Sequence, residues 1–240
     1  MISGIQLSTF RPLLATSDQV ADVLRRIAAL GCRAVQLQGI DRAVPIPDIV
    51  EALRQTGIRA VSVQEIYAVF QQNRDYYFRL NQAVGGTWLT VSRIPENADL
   101  GLFAQELKSL AADLSAVHQK LAFHPVYEDY PFIDDLLSRA PEMDICLDFY
   151  HLWRTGKKMP DWIGRYRSRI RMVHFKDAVN GRMVPAGQGQ VDWTGVPEAC
   201  AQVDYGFVEQ EAWDTDPFIC VQEALEWLNR STEKAAKRDE

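Results

Sequence analysis

Three of the four histidines in the chain stand where short apolar runs end. His124 closes "KLAFH", His174 lies near the end of "IRMVHF", and His151 follows "DICLD" by three residues. Asp148 closes that last run and Glu209 lies within another, "GFVEQE". Imidazole nitrogens and carboxylate oxygens brought to one place are ligands for a divalent metal: Mn²⁺, Zn²⁺, Co²⁺ or Mg²⁺. Further polar residues occupy comparable positions: Thr9 and Arg11, Gln36 and Gln38, Gln64 and Glu65, Ser92 and Arg93, Glu128 and Asp129, Lys176 and Asp177, and Glu211. Each main candidate also has a plain structural alternative. His174 could be a hydrogen-bonded core histidine, Asp148 a helix N-cap, His151 a packing residue under the following loop, and Lys176 and Arg93 surface charges. Glu209 is harder to explain that way, because an unpaired buried carboxylate is costly. The fourth histidine, His118, falls in a helical pattern and is expected in solvent.

These residues become a site only if the elements carrying them share one rim. Short apolar runs at 4–8, 34–38, 59–63, 87–92, 120–124, 144–148, 170–175 and 206–211 read as strands rich in Val, Ile and Leu. Several are apolar throughout, as suits parallel strands covered on both faces. Amphipathic helical patterns lie between them at 17–31, 46–57, 100–118 and 216–230. The first has a serine at its start and glycine at its stop; the second has proline near its start and glycine at its end. This alternation predicts α/β architecture: a single (β/α)8 TIM barrel over residues 1–230, with the charged segment 231–240 as a fraying tail. No GxGxxG follows the first strand, which disfavours an open dinucleotide-binding sheet. In a barrel, functional side chains gather at the C-terminal ends of the strands, where the polar residues above are found.

Composition narrows the partners. The 240-residue chain is 47% hydrophobic and 24% charged, with a formal net charge of −6. An acidic protein lacks the basic face that nucleic acid requires, so no nucleic acid is expected. A small anionic substrate held by one or two arginines remains compatible. The first sixteen residues lack the basic and apolar regions of a signal peptide, and no apolar stretch reaches membrane-spanning length. The four cysteines, Cys32, Cys146, Cys200 and Cys220, form no CxxC pair and read as buried free thiols. The expected setting is cytoplasmic, without membrane contact. A small-molecule partner is expected, and association into a homo-oligomer through helix faces is left open.

Motifs in order along the chain resemble the sugar phosphate isomerase/epimerase family, whose fold is the xylose isomerase-like TIM barrel. The resemblance runs from "GIQLSTFRPLL" through "GCRAVQLQG" and "TGIRAVSV" to "CLDFYHLWRTG", "RYRSRIRMVHFKD", "PAGQGQVDW" and "FVEQEAW". It implies one divalent metal ion, Mn²⁺ first among the four, held by residues from strands 5 to 8. Those positions are His124, Asp148, His174 and Glu209. In better-known members the strand-5 and strand-8 ligands are both glutamates and act as an acid–base pair on adjacent sugar carbons. This chain departs from that pattern with His124 on strand 5, Val126 and Asp129 in "HPVYED", Gln36 and Gln64 on strands 2 and 3, and Glu211 for a frequent aspartate. Which of His124, Glu128 and Asp129 is the strand-5 ligand stays open.

The expected activity is that of a metal-dependent sugar isomerase or epimerase, acting on a free, phosphorylated or oxidised sugar through an enediolate. Glu209, His151 and Lys176 are the expected catalytic residues. Arg11, Gln64, Arg93, Glu128 and Asp177 are the expected substrate-binding residues. Loss of the strand-5 glutamate raises a second reading, a metal-assisted lyase or dehydratase, which needs one base and a leaving-group acid. A third reading is a sugar-binding subunit with degraded catalysis.

Overall fold

The computed structural model describes residues 1–236. Its eight barrel strands are β1 (Ile2–Gln6), β2 (Ala34–Leu37), β3 (Arg59–Ile66), β4 (Trp88–Ser92), β5 (Lys120–His124), β6 (Asp144–Asp148), β7 (Ile170–Phe175) and β10 (Tyr205–Val208). They pair in parallel in chain order, and β10 pairs with β1 to close the barrel. A short antiparallel hairpin, β8 (Asp177–Val179) and β9 (Arg182–Val184), rises immediately after β7. Closure leaves no free sheet edge, and the expected α/β barrel is the architecture found.

Among the described residues, ten helices surround the strands. They are α1 (Ser17–Ala29), α2 (Ile46–Thr56), α3 (Tyr67–Gln72), α4 (Arg74–Ala83), α5 (Leu100–Ser115), α6 (Ile133–Arg139), α7 (Phe149–Arg154), α8 (Met159–Tyr166), α9 (Val196–Ala199) and α10 (Pro217–Ala236). In α1, Val20, Val23, Leu24 and Ile27 recur at helical spacing and are buried against the strands. Burying a side chain such as Leu24 or Ile27 is worth roughly 1.5–3 kcal/mol. The helix begins at the serine expected to cap it, and the cap is the residue before, Thr16. The Thr16 hydroxyl accepts the Gln19 N–H, while Ser17 donates to Asp48 at 2.6 Å and ties α1 to α2. Gly57 ends α2 in the left-handed region, at φ +67°.

The barrel interior is graded along its axis. Ala34, Val61, Trp88, Ala122, Cys146, Met172, Tyr205 and Phe207 form a separate buried apolar floor. Strand side chains alternate between the two faces with a period of two. The residues two positions beyond Ala122, Cys146, Met172 and Phe207 therefore also face inward, one layer higher. They are His124, Asp148, His174 and Glu209.

Several boundaries differ from those predicted. The first strand is Ile2–Gln6 rather than 4–8, because the chain turns into a 3-10 helix over Leu7–Leu13. The third strand extends to Ile66, so Gln64 and Glu65 lie within it. The last strand stops at Val208, one residue before Glu209. The segment expected to fray is helical through Ala236, with the Thr232 hydroxyl back-bonded to Leu228 O at 3.1 Å; residues 237–240 of that tail lie outside the described residues. Among the described residues no helix is long and apolar enough to cross a membrane. All four cysteines are buried and free.

Candidate metal centre

His124, Asp148, His174 and Glu209 converge so that one ligand atom from each lies within 4.8 Å of all the others, and all four residues are buried. His124 Nε2 is 3.1 Å from His174 Nδ1 and 3.8 Å from Asp148 Oδ2. His174 Nδ1 is 2.9 Å from Glu209 Oε2. Each carboxylate is half committed. Asp148 Oδ1 accepts the His151 N–H at 2.9 Å and caps α7, whereas Oδ2 has no hydrogen-bond partner. Glu209 Oε1 accepts the Ser8 hydroxyl at 2.9 Å, whereas Oε2 faces His174 Nδ1 without hydrogen-bond geometry. Two buried anionic oxygens without such partners, beside two ring nitrogens, are a mixed N/O donor set suited to a divalent first-row metal.

Charge within the layer is strongly organised. Burial holds His124 neutral, with its pKa pushed down to about 3, and the charge on His174 adds to the effect. Burial, helped by Lys176, likewise pushes His151 down to about 4. Burial alone would also discharge Lys176, but Glu209, Asp148 and Glu211 together outweigh it and raise its pKa. The ammonium lies 3.8 Å from Asp148 Oδ2, 3.8 Å from Glu209 Oε1 and 2.7 Å from Glu211 Oε2. Burial would raise the Glu209 pKa; Lys176 and His174 overcome it and keep the carboxylate ionised. On His174, burial opposes the charge, while the flanking Cys146 and Glu209 outweigh it and raise the pKa.

The family model described as xylose isomerase-like TIM barrel matches residues 78–231. The chain belongs to that family. Solved structures agree on the fold. A sugar phosphate isomerase/epimerase from Parabacteroides distasonis ATCC 8503 superposes with a TM-score of 0.79 at 14% identity, covering 96% of this chain and 93% of its own. An L-ribulose 3-epimerase gives 0.80 at 15% identity, over 98% and 96%. The probable 3-DHS dehydratase involved in petrobactin synthesis from Bacillus anthracis gives 0.77 at 13% identity, over 95% and 99%. Among curated proteins, none matches the sequence.

The family's barrel mouth gathers some of the other expected site residues and excludes others. His151 joins the cluster, its Nε2 3.9 Å from Asp148 Oδ2 and its Nδ1 accepting the Tyr127 N–H at 3.2 Å. Lys176 is buried in the cluster rather than on the surface. Of the three residues competing on strand 5, only His124 reaches it. Glu128 is exposed on the turn Tyr127–Asp129. Asp129 spends one oxygen on Val126 N at 2.8 Å and the other on Ile94 N at 2.9 Å, joining the loops after β4 and β5.

Asp177 stands apart from its expected substrate-binding role. It is 1% exposed, and its two oxygens accept five hydrogen bonds, from the N–H groups of Ala178, Gly187, Gly189 and Val191 and from Trp193 Nε1. That carboxylate is saturated and shapes the loop after the hairpin. Gln64 is buried beside a small cavity of ≈ 20 Å³ with Gln38 and Tyr76. Arg11 is exposed and lines a groove of ≈ 430 Å³ with Gly39, Asp41, Arg42, Glu65 and Tyr77. Arg93 is also exposed, and holds a left-handed backbone at φ +67°, costly for a residue with a side chain. Sequence reasoning missed Ser8, which positions Glu209. Ser8 lies in the 3-10 helix after β1, where strand alternation no longer applies, so residue type alone gave no signal.

Proposed function

We propose that the protein is a divalent-metal-dependent carbohydrate isomerase or epimerase, moving a proton between adjacent carbons of a sugar through an enediolate. The observation that carries this reading is the convergence of His124, Asp148, His174 and Glu209 with two carboxylate oxygens left without hydrogen bonds. The activities named for the Parabacteroides protein and the L-ribulose 3-epimerase support it. The four residues would hold the metal, Mn²⁺ before Zn²⁺, Co²⁺ or Mg²⁺, which when bound supplies Lewis-acid polarisation of a carbonyl and its neighbouring hydroxyl.

The chain's own residues do the rest. Glu209, kept ionised by Lys176 and His174 and held by Ser8, accepts the proton from the substrate carbon. His151 accepts a backbone N–H at Nδ1, so its neutral ring carries the proton at Nε2 and offers it to a substrate oxygen. Lys176 places a fixed positive charge beside the oxygen on which negative charge grows. Arg93 and Arg11, both exposed after their strands, contact the periphery of the substrate.

A lyase or dehydratase reading is favoured by one feature. Strand 5 contributes the imidazole of His124, so Glu209 has no second glutamate opposite it to complete a symmetric acid–base pair. The named activity of the Bacillus anthracis protein points the same way. Metal analysis tests the shared core: one equivalent of divalent metal, retained or taken up from Mn²⁺, is expected, and no uptake would overturn both readings. Incubating candidate sugars in D₂O separates them. Deuterium incorporation with every carbon–oxygen bond retained indicates isomerisation or epimerisation, whereas loss of a substituent indicates the lyase.

A further inference from the structure

A fully buried glutamine lies on the far side of His174 from the cluster. Gln36 is on β2, and its Oε1 is 2.5 Å from His174 Nε2. Its amide nitrogen faces two hydroxyls, Thr90 Oγ1 at 3.3 Å and Ser62 Oγ at 3.4 Å. Those hydroxyls are 2.7 Å apart, and Ser62 Oγ is 3.3 Å from the Val63 carbonyl oxygen.

This chain of contacts has a direction. A carbonyl oxygen only accepts, so the Ser62 proton goes to Val63 O and the Thr90 proton goes to Ser62. Both hydroxyls have then used their single protons, and their oxygens must accept from the Gln36 amide. With the amide flipped, two hydroxyl protons would have to fill four contacts: Gln36–Thr90, Gln36–Ser62, Thr90–Ser62 and Ser62–Val63. The unflipped amide alone places a proton in each, and it aims Oε1 at His174.

We infer that Gln36 is a positioning residue: it makes His174 carry a proton on Nε2 and so turns the Nδ1 lone pair toward His124, Asp148 and Glu209. On the reading of His174 as a ligand, on which this depends, the opposite tautomer would present an N–H to the metal. Such outer partners of a ligating histidine set both its tautomer and its ring orientation. Ser62 and Thr90 act one step further out, by holding the amide.

The test uses the intact protein and Zn²⁺ as probe. In ¹⁵N-labelled, Zn²⁺-loaded protein, His174 should show a proton on Nε2 and none on Nδ1. Gln36→Met, which keeps the length and removes the acceptor, should weaken Zn²⁺ binding about tenfold to a hundredfold and lose the slowly exchanging Nε2–H signal. Gln36→Glu, which keeps an acceptor facing Nε2, should restore binding to within a few-fold of the parent, a rescue that a merely space-filling role would not produce. Equal Zn²⁺ affinity in Gln36→Met and the parent overturns the inference and leaves the metal site standing. Failure of the parent to bind any divalent metal overturns the site and the inference together. Should Gln36→Met not fold, the parent spectrum decides: Nε2 bound to the metal, with the proton on Nδ1, overturns the inference.

Discussion

Asp148 divides one carboxylate between structure and chemistry. Oδ1 caps α7 through the His151 N–H, and Oδ2 is left facing the cluster. The N-cap and ligand readings of this residue are therefore compatible, and capping fixes the rotamer that aims Oδ2 inward. Glu209 divides in the same way between Ser8 and the cluster. Glu209→Gln keeps the shape and the Ser8 contact but cannot accept a proton, so kcat should fall by about 10²–10⁴-fold; full retained activity would remove Glu209 as the base. His151 yields a prediction about pH. Its folded pKa, about 4, lies below its ordinary value of 6.5. Between those values the unfolded chain binds more protons than the native state, so stability rises with pH across that window and is lost on acidification. The size is at most about 3 kcal/mol, from 1.36 kcal/mol per pKa unit. Urea melts of chelated protein should be steeply pH-dependent from pH 6.5 to about 4, and His151→Asn should lessen that dependence, with His124, pushed down to about 3, supplying a remainder of the same sign.

The loop after the β8–β9 hairpin is folded around Asp177, with Ala186, Val191 and Trp193 packed on the main core. Three of its five donors are the backbone N–H groups of Gly187, Gly189 and Val191, and a Cβ at Gly189 would lie 2.0 Å from Asp177 Oδ1. Asp177→Asn turns an amide NH₂ toward groups that only donate. It should destabilise the protein by about 3 kcal/mol or more, and Gly189→Ala should loosen the same loop; lower urea midpoints together with new protease cleavage between 180 and 195 would register both. This loop marks where the sequence stopped being informative. The strand-end histidines and carboxylates were legible because a period of two carries them inward from the apolar residues before them. The partners of Asp177 and Asp129 were not, because they are mostly main-chain N–H groups, which every non-proline residue carries. Gln36, Ser62 and Thr90 come from three strands, and only inter-strand register brings them together. A β3 bulge beside Gln36, where the β2–β3 register shifts between Val35 and Gln36, cannot be seen in residue types at all. Asp177 follows Lys176 beyond a strand end, and strand-end position alone does not separate a saturated carboxylate from a free one.

At the scale of the molecule, the four cluster residues come from one side of the barrel: β5, β6, β7 and the residue after β10, which are consecutive around the closed sheet. From the opposite side, Ser8 meets Glu209 and Gln36 meets His174 through single side chains. A bound metal would therefore tie four neighbouring strands at their C-terminal ends. Without it, that rim holds buried carboxylates balanced by Lys176 and a charged His174. Binding to the native state alone stabilises by RT ln(1 + [L]/Kd), about 2.7 kcal/mol when the free metal is a hundredfold above Kd. For a domain of this size that corresponds to a rise in Tm of roughly 5–11 °C, at 2–4 °C per kcal/mol. Thermal melts with added Mn²⁺ should show this rise, growing with the logarithm of metal concentration, and EDTA should reverse it. His124→Ala removes one tie from β5 and should reduce the rise while leaving the metal-free Tm close to that of the parent. A Tm that ignores Mn²⁺ and every other divalent ion tried would mean that the cluster is a structural charge network and that the barrel does its chemistry, if any, without a metal. A rise undiminished in His124→Ala would instead place β5 outside the ligand set and leave Asp148, His174 and Glu209 to hold the ion.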